Sequence, residues 1–176
     1  MLILESCNQT GNGMLNSDLI DTTDLSSGLD TPTTYWQLDF DTITVEQKVR
    51  IENEFYDLTI KSYSLNDSSI SRINDYDKSK AIYHDYETEI LLTLESDTVL
   101  QSTLTKETFS DSLSGDFYKY AVLHNIEYSS IRTNRLYFKA FLNVPDTDWG
   151  TRPKFAIFFR TSKKGQINYW NFNYDE

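Results

Sequence analysis

The sequence is poor in the residues that staple, kink or punctuate a chain. It has one cysteine, Cys7, so no disulfide can close within it. Three prolines and six glycines among 176 residues exclude a collagen-like or low-complexity chain. No run approaches the roughly 20 apolar residues that a membrane-spanning helix needs. Lys and Arg are missing from residues 1–47, which carry eight acids: Glu5, Asp18, Asp21, Asp24, Asp30, Asp39, Asp41 and Glu46. The net charge of -11 therefore belongs mostly to the front of the chain, and the remainder is nearly balanced. A balanced body behind an acidic leader argues against nucleic acid or a bare anionic membrane as partner, because both require clustered positive charge.

What is abundant is aromatic. Twelve Tyr, ten Phe and three Trp make up 14% of the chain and favour strands. They are absent from residues 8–34, a run of Asn, Ser, Thr, Asp and Gly that cannot bury enough apolar surface to offset its ordering entropy. Residues 1–34 are therefore read as a disordered leader and residues 35–176 as one folded domain. A chain of this length can bury roughly two-thirds of its unfolded surface and needs neither disulfide nor metal to hold a core.

Period-two alternation recurs through the body, the mark of strands with one buried face. Ile43, Val45, Val49 and Ile51 share a face. Residues 55–65 follow as a second strand. The longest run is 82–95, with Ile82, His84, Tyr86, Thr88, Ile90, Leu92 and Leu94 on one side and Asp85, Glu87 and Glu89 on the other. Segment 98–104 continues the pattern. Thr105 is placed to cap a short helix carrying Phe109 and Leu113, which Gly115 ends. Segments 117–128, 135–144, 154–160 and 167–174 complete about eight strands and one helix. No strand–helix–strand rhythm is present, so the expected class is all-β: an antiparallel sandwich, or a small closed barrel with a lipocalin-like cavity as the alternative.

The catalytic signals are weak. Asp75, Asp77, Asp85, Glu87 and Glu89 form the densest acidic cluster, and a glycosidase needs two carboxylates about 5–9 Å apart across a cleft. An acidic solvent face explains the same residues. Asp75-Tyr-Asp-Lys-Ser79 opens like a calcium loop but has Lys80 where the loop requires Gly and Tyr86 where it requires Glu. His84 and His124 fall on inward faces and read as core histidines, too few for zinc. No Gly-x-Ser-x-Gly elbow exists, and Gly11-Asn-Gly13 precedes no helix. No catalytic set, metal or cofactor is expected. The loop at 145–150 places Trp149 between Asp148 and Gly150, and Trp149, Asp146 and Asp148 are the candidate ligand contacts, since loops carry function more often than cores. Eight bases between residues 131 and 170, Arg152 among them, read as a solvated hairpin face or a docking patch for an anionic partner.

The segment Met1-Leu-Ile-Leu-Glu-Ser-Cys7, ahead of a polar linker, looks like the end of a bacterial lipoprotein signal, with Cys7 as the acylated residue. Its apolar part is shorter than the usual 7–15 residues and lacks a basic start, so either the start lies upstream of Met1 or the likeness is accidental and Cys7 is an inert residue of the leader. Three further stretches, LTIKSYSLND at 58–67, TKETF at 105–109 leading to AVLHN at 121–125, and PDTDW at 145–149, resemble an uncharacterised family of Bacteroides-type lipoproteins, a domain of unknown function, over about residues 40–174. The resemblance implies an envelope setting and assigns no catalytic residue.

The expected function is thus a non-enzymatic binding or interaction module, lipid-anchored in the bacterial cell envelope. Its partner is an envelope protein or a small ligand, and it meets the membrane only through the anchor. The alternatives are a glycan hydrolase using the 75–89 acids, a structural subunit of an envelope complex, and a soluble cytoplasmic location.

Overall fold

Alternation becomes pairing in the computed structural model, which describes residues 31–133, 135–160 and 163–168. Residues 1–30, including Cys7, lie outside the described part. Twelve strands form three sheets among the described residues.

A small mixed sheet joins β1 (Thr33–Tyr35), β5 (Lys80–Tyr83) and β4 (Ile70–Ile73), with β1 parallel to β5. The second sheet is antiparallel and runs β2 (Thr42–Ile51), β3 (Glu54–Ser64), β6 (Tyr86–Leu94), β7 (Asp97–Leu104). The third contains β8 (Val122–Arg132), β9 (Arg135–Asn143), β10 (Gly150–Thr151), β11 (Lys154–Arg160) and β12 (Lys163–Asn168). Here β9 is central, with β8 on one side and β10 and β11 on the other, and β12 continues from β11.

The core lies between the inner faces of the second and third sheets. Leu58, Ile90, Leu92 and Leu104 from one side and Leu123, Leu136, Phe138, Leu142, Phe155 and Ile157 from the other are sealed from solvent. Phe138 and Phe155 stack with centroids 5.2 Å apart, and Phe109 meets Phe155 edge-on at 5.6 Å. Aromatic pairs of this geometry add about 0.5–1.5 kcal/mol beyond their buried area.

This is a sandwich. The closed barrel held open by the alternation is ruled out, because among the described residues no strand joins the second and third sheets into a ring. The strand count exceeds the expected eight because β1, β4, β5 and β10 are two to four residues long, too short for alternation to register.

Two local expectations also change. The run 82–95 is two strands in different sheets, broken at His84-Asp85. Nor is there a single helix over 105–114. A 3-10 helix spans Lys106–Ser112, its start tied by Thr105 N donating to Thr108 Oγ1 at 3.2 Å. An α-helix, α1, then runs Gly115–Tyr120, with Ser114 Oγ accepting from Phe117 N. Gly115 opens a helix rather than closing one, because the serine before it is the better N-cap. The two helices contribute Phe109 and Phe117 to the core.

Candidate functional site

The site begins with an irregularity in β8. Leu123 pairs with Leu142, but Asn125, not His124, pairs with Phe141. One extra residue on β8 makes a bulge, which re-aims the side chains beside it. Cross-strand partners share a face, so Asn125 and Glu127 stand with Phe141 and Lys139 on the outer side of the third sheet. The core side is taken by Leu123, Ile126 and their partners Leu142 and Ala140.

An open depression of about 820 Å³ lies over this outer face, lined by His124, Asn125, Glu127, Phe141, Asn143 and Arg152, among others. His124 Nε2 hydrogen-bonds Asn143 Oδ1 across the strands. The Arg152 guanidinium lies 4.8 Å from the centroid of the Phe141 ring, a cation–π contact. Asn125 Oδ1 is buried and has no hydrogen-bond partner among the described residues. The surface thus offers a carboxylate and an amide oxygen lacking a donor on β8, and a guanidinium from the short link between β10 and β11.

The sequence missed most of this set. His124 was expected inside the core, and Arg152 was one of eight scattered bases. Alternation counted from Ile126 already sets Asn125 outward but puts Val122 and His124 inward. The extra residue instead turns Leu123 to the core and leaves His124 lining the depression, a change that leaves no mark in the composition.

The expected ligand loop lies at the edge of the same sheet. Trp149 is 49% exposed, and its ring meets Phe117 edge-on at 5.2 Å. Thr147 Oγ1 donates to Val144 O at 2.7 Å and accepts from Trp149 N at 3.1 Å, and Val144 N donates to Trp149 O at 2.8 Å. Asp146, in the left-handed region at φ 57°, accepts from Tyr83 Oη at 2.9 Å. Burial, and then this bond, push the Tyr83 phenol up to about 12. Asp148 is exposed. The loop therefore sets Asp146 against β5 and Trp149 against α1, and it feeds directly into Gly150, which lines the depression.

The acids at 75–89 are dispersed. Asp85 is 5% exposed and sits 3.5 Å from Nζ of Lys106, itself 7% exposed. Its Oδ1 accepts from Tyr86 N at 2.9 Å and Leu123 N at 3.2 Å. Lys106 Nζ also donates to Ala121 O at 3.0 Å. Burial raises the Asp85 carboxyl above its ordinary range, against the pull of Lys106 and the two amides. The expectation that Asp85 shares an outer face with Glu87 and Glu89 is thus overturned: where the chain leaves the first sheet for the second, Asp85 turns inward.

Glu87 and Glu89 stay on the outer side of the second sheet, both accepting from Tyr63 Oη. Those two bonds, that to Glu87 foremost, raise the Tyr63 phenol. Asp77 closes a turn by accepting from Ser79 N at 3.0 Å and Ser79 Oγ at 2.7 Å. His84 Nδ1 accepts from Ser68 N at 3.0 Å, so His84 and His124 serve separate partners. Among the described residues no three His, Cys, Asp or Glu converge as metal ligands, and no helix is long and apolar enough to cross a membrane.

A family model matches residues 36–168, from the residue after β1 through the last strand. The chain belongs to the DUF4738 family, a domain of unknown function. No curated protein matches it. In this DUF4738 domain the matched span takes in the second and third sheets entirely, the outer depression, the 145–149 loop and the Asp85–Lys106 pair.

Proposed function

We propose that this DUF4738 domain is a non-enzymatic binding module of the bacterial cell envelope, held there by an acyl chain on Cys7, with the outer depression of the third sheet as its ligand site. The observation that carries the proposal is Asn125 Oδ1, buried without a donor. A buried acceptor left unpaired costs about 1–3 kcal/mol, which a ligand N–H or O–H recovers. Arg152 beside it takes an anionic or strongly accepting group. The matching ligand is small and polar, with a donor for Asn125 and an acceptor for Arg152.

The hydrolase reading loses its support. Asp85 spends its oxygens on Lys106 and two backbone amides, and Glu87 and Glu89 share a tyrosine on the outer side of another sheet. The envelope setting rests on the sequence around Cys7 and on the resemblance to lipoproteins of unknown function.

Backbone amide NMR with a fragment set of polyols, simple sugars and small carboxylic acids tests the site. Binders are expected to perturb residues 124–127, 141–143 and 150–152, and Arg152→Ala should weaken them about tenfold or more, as loss of a charge-assisted bond does. Perturbations gathering elsewhere, or binding indifferent to Arg152, would refute the assignment.

A further inference from the structure

We infer that β2 is a self-pairing edge, through which two copies of this chain join their second sheets into one continuous antiparallel sheet. β2 is ten residues long and lies at the edge of its sheet, with β3 on one side and no strand on the other among the described residues. Its pairing with β3 is in unbroken register from Thr42 to Ile51. Edge strands usually carry a proline, a bulge or an inward-facing charge that blocks pairing with another chain. β2 has no proline, bulge or inward-facing charge, and its charged residues, Glu46, Lys48 and Arg50, all lie on the outer face, where they set the register. The opposite edge, β7, meets β6 with a register shift between Leu92 and Thr93, and the β8 edge of the third sheet is shifted twice.

The inner side of β2 is also incompletely covered. Val49 and Ile51 are buried, while Ile43 and Val45, on the same face, are 56% and 48% exposed. Ile43 and Val45 line an open cleft of about 300 Å³ whose other wall is Ile126 and Tyr128 of β8, so an incoming β2 meets apolar surface there.

The side chains select one register. A two-fold axis normal to the sheet keeps each face with its like, so the paired numbers must have an even sum. Centring on Glu46 or on Lys48 puts like charges directly opposite, which destabilises. Centring on Val49 sets Lys48 against Arg50, with the same result. Centring on Val45 brings no opposite charges together. Centring on Gln47 pairs Glu46 with Lys48 twice on the outer face. On the inner face it pairs Val45 with Val49 and Ile43 with Ile51 twice each, and it uses the whole strand. The charge sequence Glu46-Gln47-Lys48 is complementary to itself when reversed, and this singles out a second copy of the chain as the occupant.

Sedimentation of the full chain and of charge variants tests the pairing. The wild type is expected to dimerise reversibly. Glu46→Lys or Lys48→Glu, each placing like charges opposite twice, should weaken the dimer about tenfold or more, and the double exchange should restore it. Glu46 and Lys48 are both exposed on the outer face of β2, and Lys48 also pairs with Asp57 of β3 at 2.7 Å, so the folding of each variant is checked by circular dichroism.

In a Cys7→Ser background, Gln47→Cys should form an intermolecular disulfide on mild oxidation. On the axis the two Cα atoms stand about 4.5–5.5 Å apart. Val45→Cys should not, because its own copy lies about 13 Å away along the strand. A monomer at every concentration up to about 1 mM, or a dimer indifferent to both single exchanges, or equal cross-linking at 45 and 47, would overturn the proposal.

Discussion

At the scale of single residues, the pair Asp85–Lys106 governs a junction. Asp85 N also donates to Asp67 Oδ1 at 3.1 Å, so one residue binds the turn after β3, the start of β6 and the start of β8. Removing one partner of a buried ion pair is expected to cost about 3–5 kcal/mol, because the other charge is left in a poor solvent. Lys106→Ala should therefore lower the urea midpoint strongly at neutral pH. The sign of its pH dependence follows from Asp85. Its folded carboxyl titrates above the ordinary 3.8. The native state thus holds the proton more tightly than the unfolded chain, and stability from this group is complete below about 3.8 and is lost as pH rises through the folded value. Losing Lys106 removes a lowering influence and widens that window. The penalty for Lys106→Ala should shrink as the pH falls toward 4, and unfolding series at several pH values would read it. A penalty constant with pH would show that Lys106 supports the fold by packing alone.

At the scale of elements, what alternation could register was legible. β2, β3 and β9 stand where the apolar period put them, whereas the strand expected over 117–128 begins only at Val122, because Gly115–Tyr120 is helical. The misplaced features are those that keep the period while changing what it faces. His84-Asp85 continues the alternation of 82–95 while the chain passes from one sheet to another, so a long strand and two short ones look alike. Asp85 is an ordinary surface acid until Lys106, far along the chain, is folded against it. The bulge at His124 hides for the same reason, and with it the inward turn of Leu123 and the place of His124 in the outer depression. Turn chemistry was more readable. The 145–149 loop closes on Thr147, whose hydroxyl serves two backbone groups. Thr147→Val keeps the shape and removes both bonds, at an expected cost of about 1–3 kcal/mol. The emission of Trp149 should change with it, because its backbone is one of the two partners. An unaltered thermal midpoint would show that the loop holds its form without the hydroxyl.

At the scale of the whole molecule, the proposed envelope role makes Cys7 decisive. Feeding an alkyne-bearing fatty acid to a host that expresses the natural gene should label the product, and Cys7→Ala should abolish the label and release the protein from the membrane fraction. An unlabelled, soluble natural product would end the tether reading while leaving the depression on the third sheet to be judged by its own titration.

Any load that reaches the domain from its N-terminal side is met first by β1. That strand is three residues long and lies at the margin of its sheet, held through Lys80 N to Pro32 O and Trp36 N to Ile82 O, with the Trp36 ring against Tyr83. Behind it come Asp39 and Asn66, bonded to each other, and only then the ten-residue β2. Resistance to a pull is therefore graded. A weak pull peels Thr33–Asp41 and pays out about 30 Å of chain while the sandwich stays shut, so the first strand works as a mechanical fuse in front of the core.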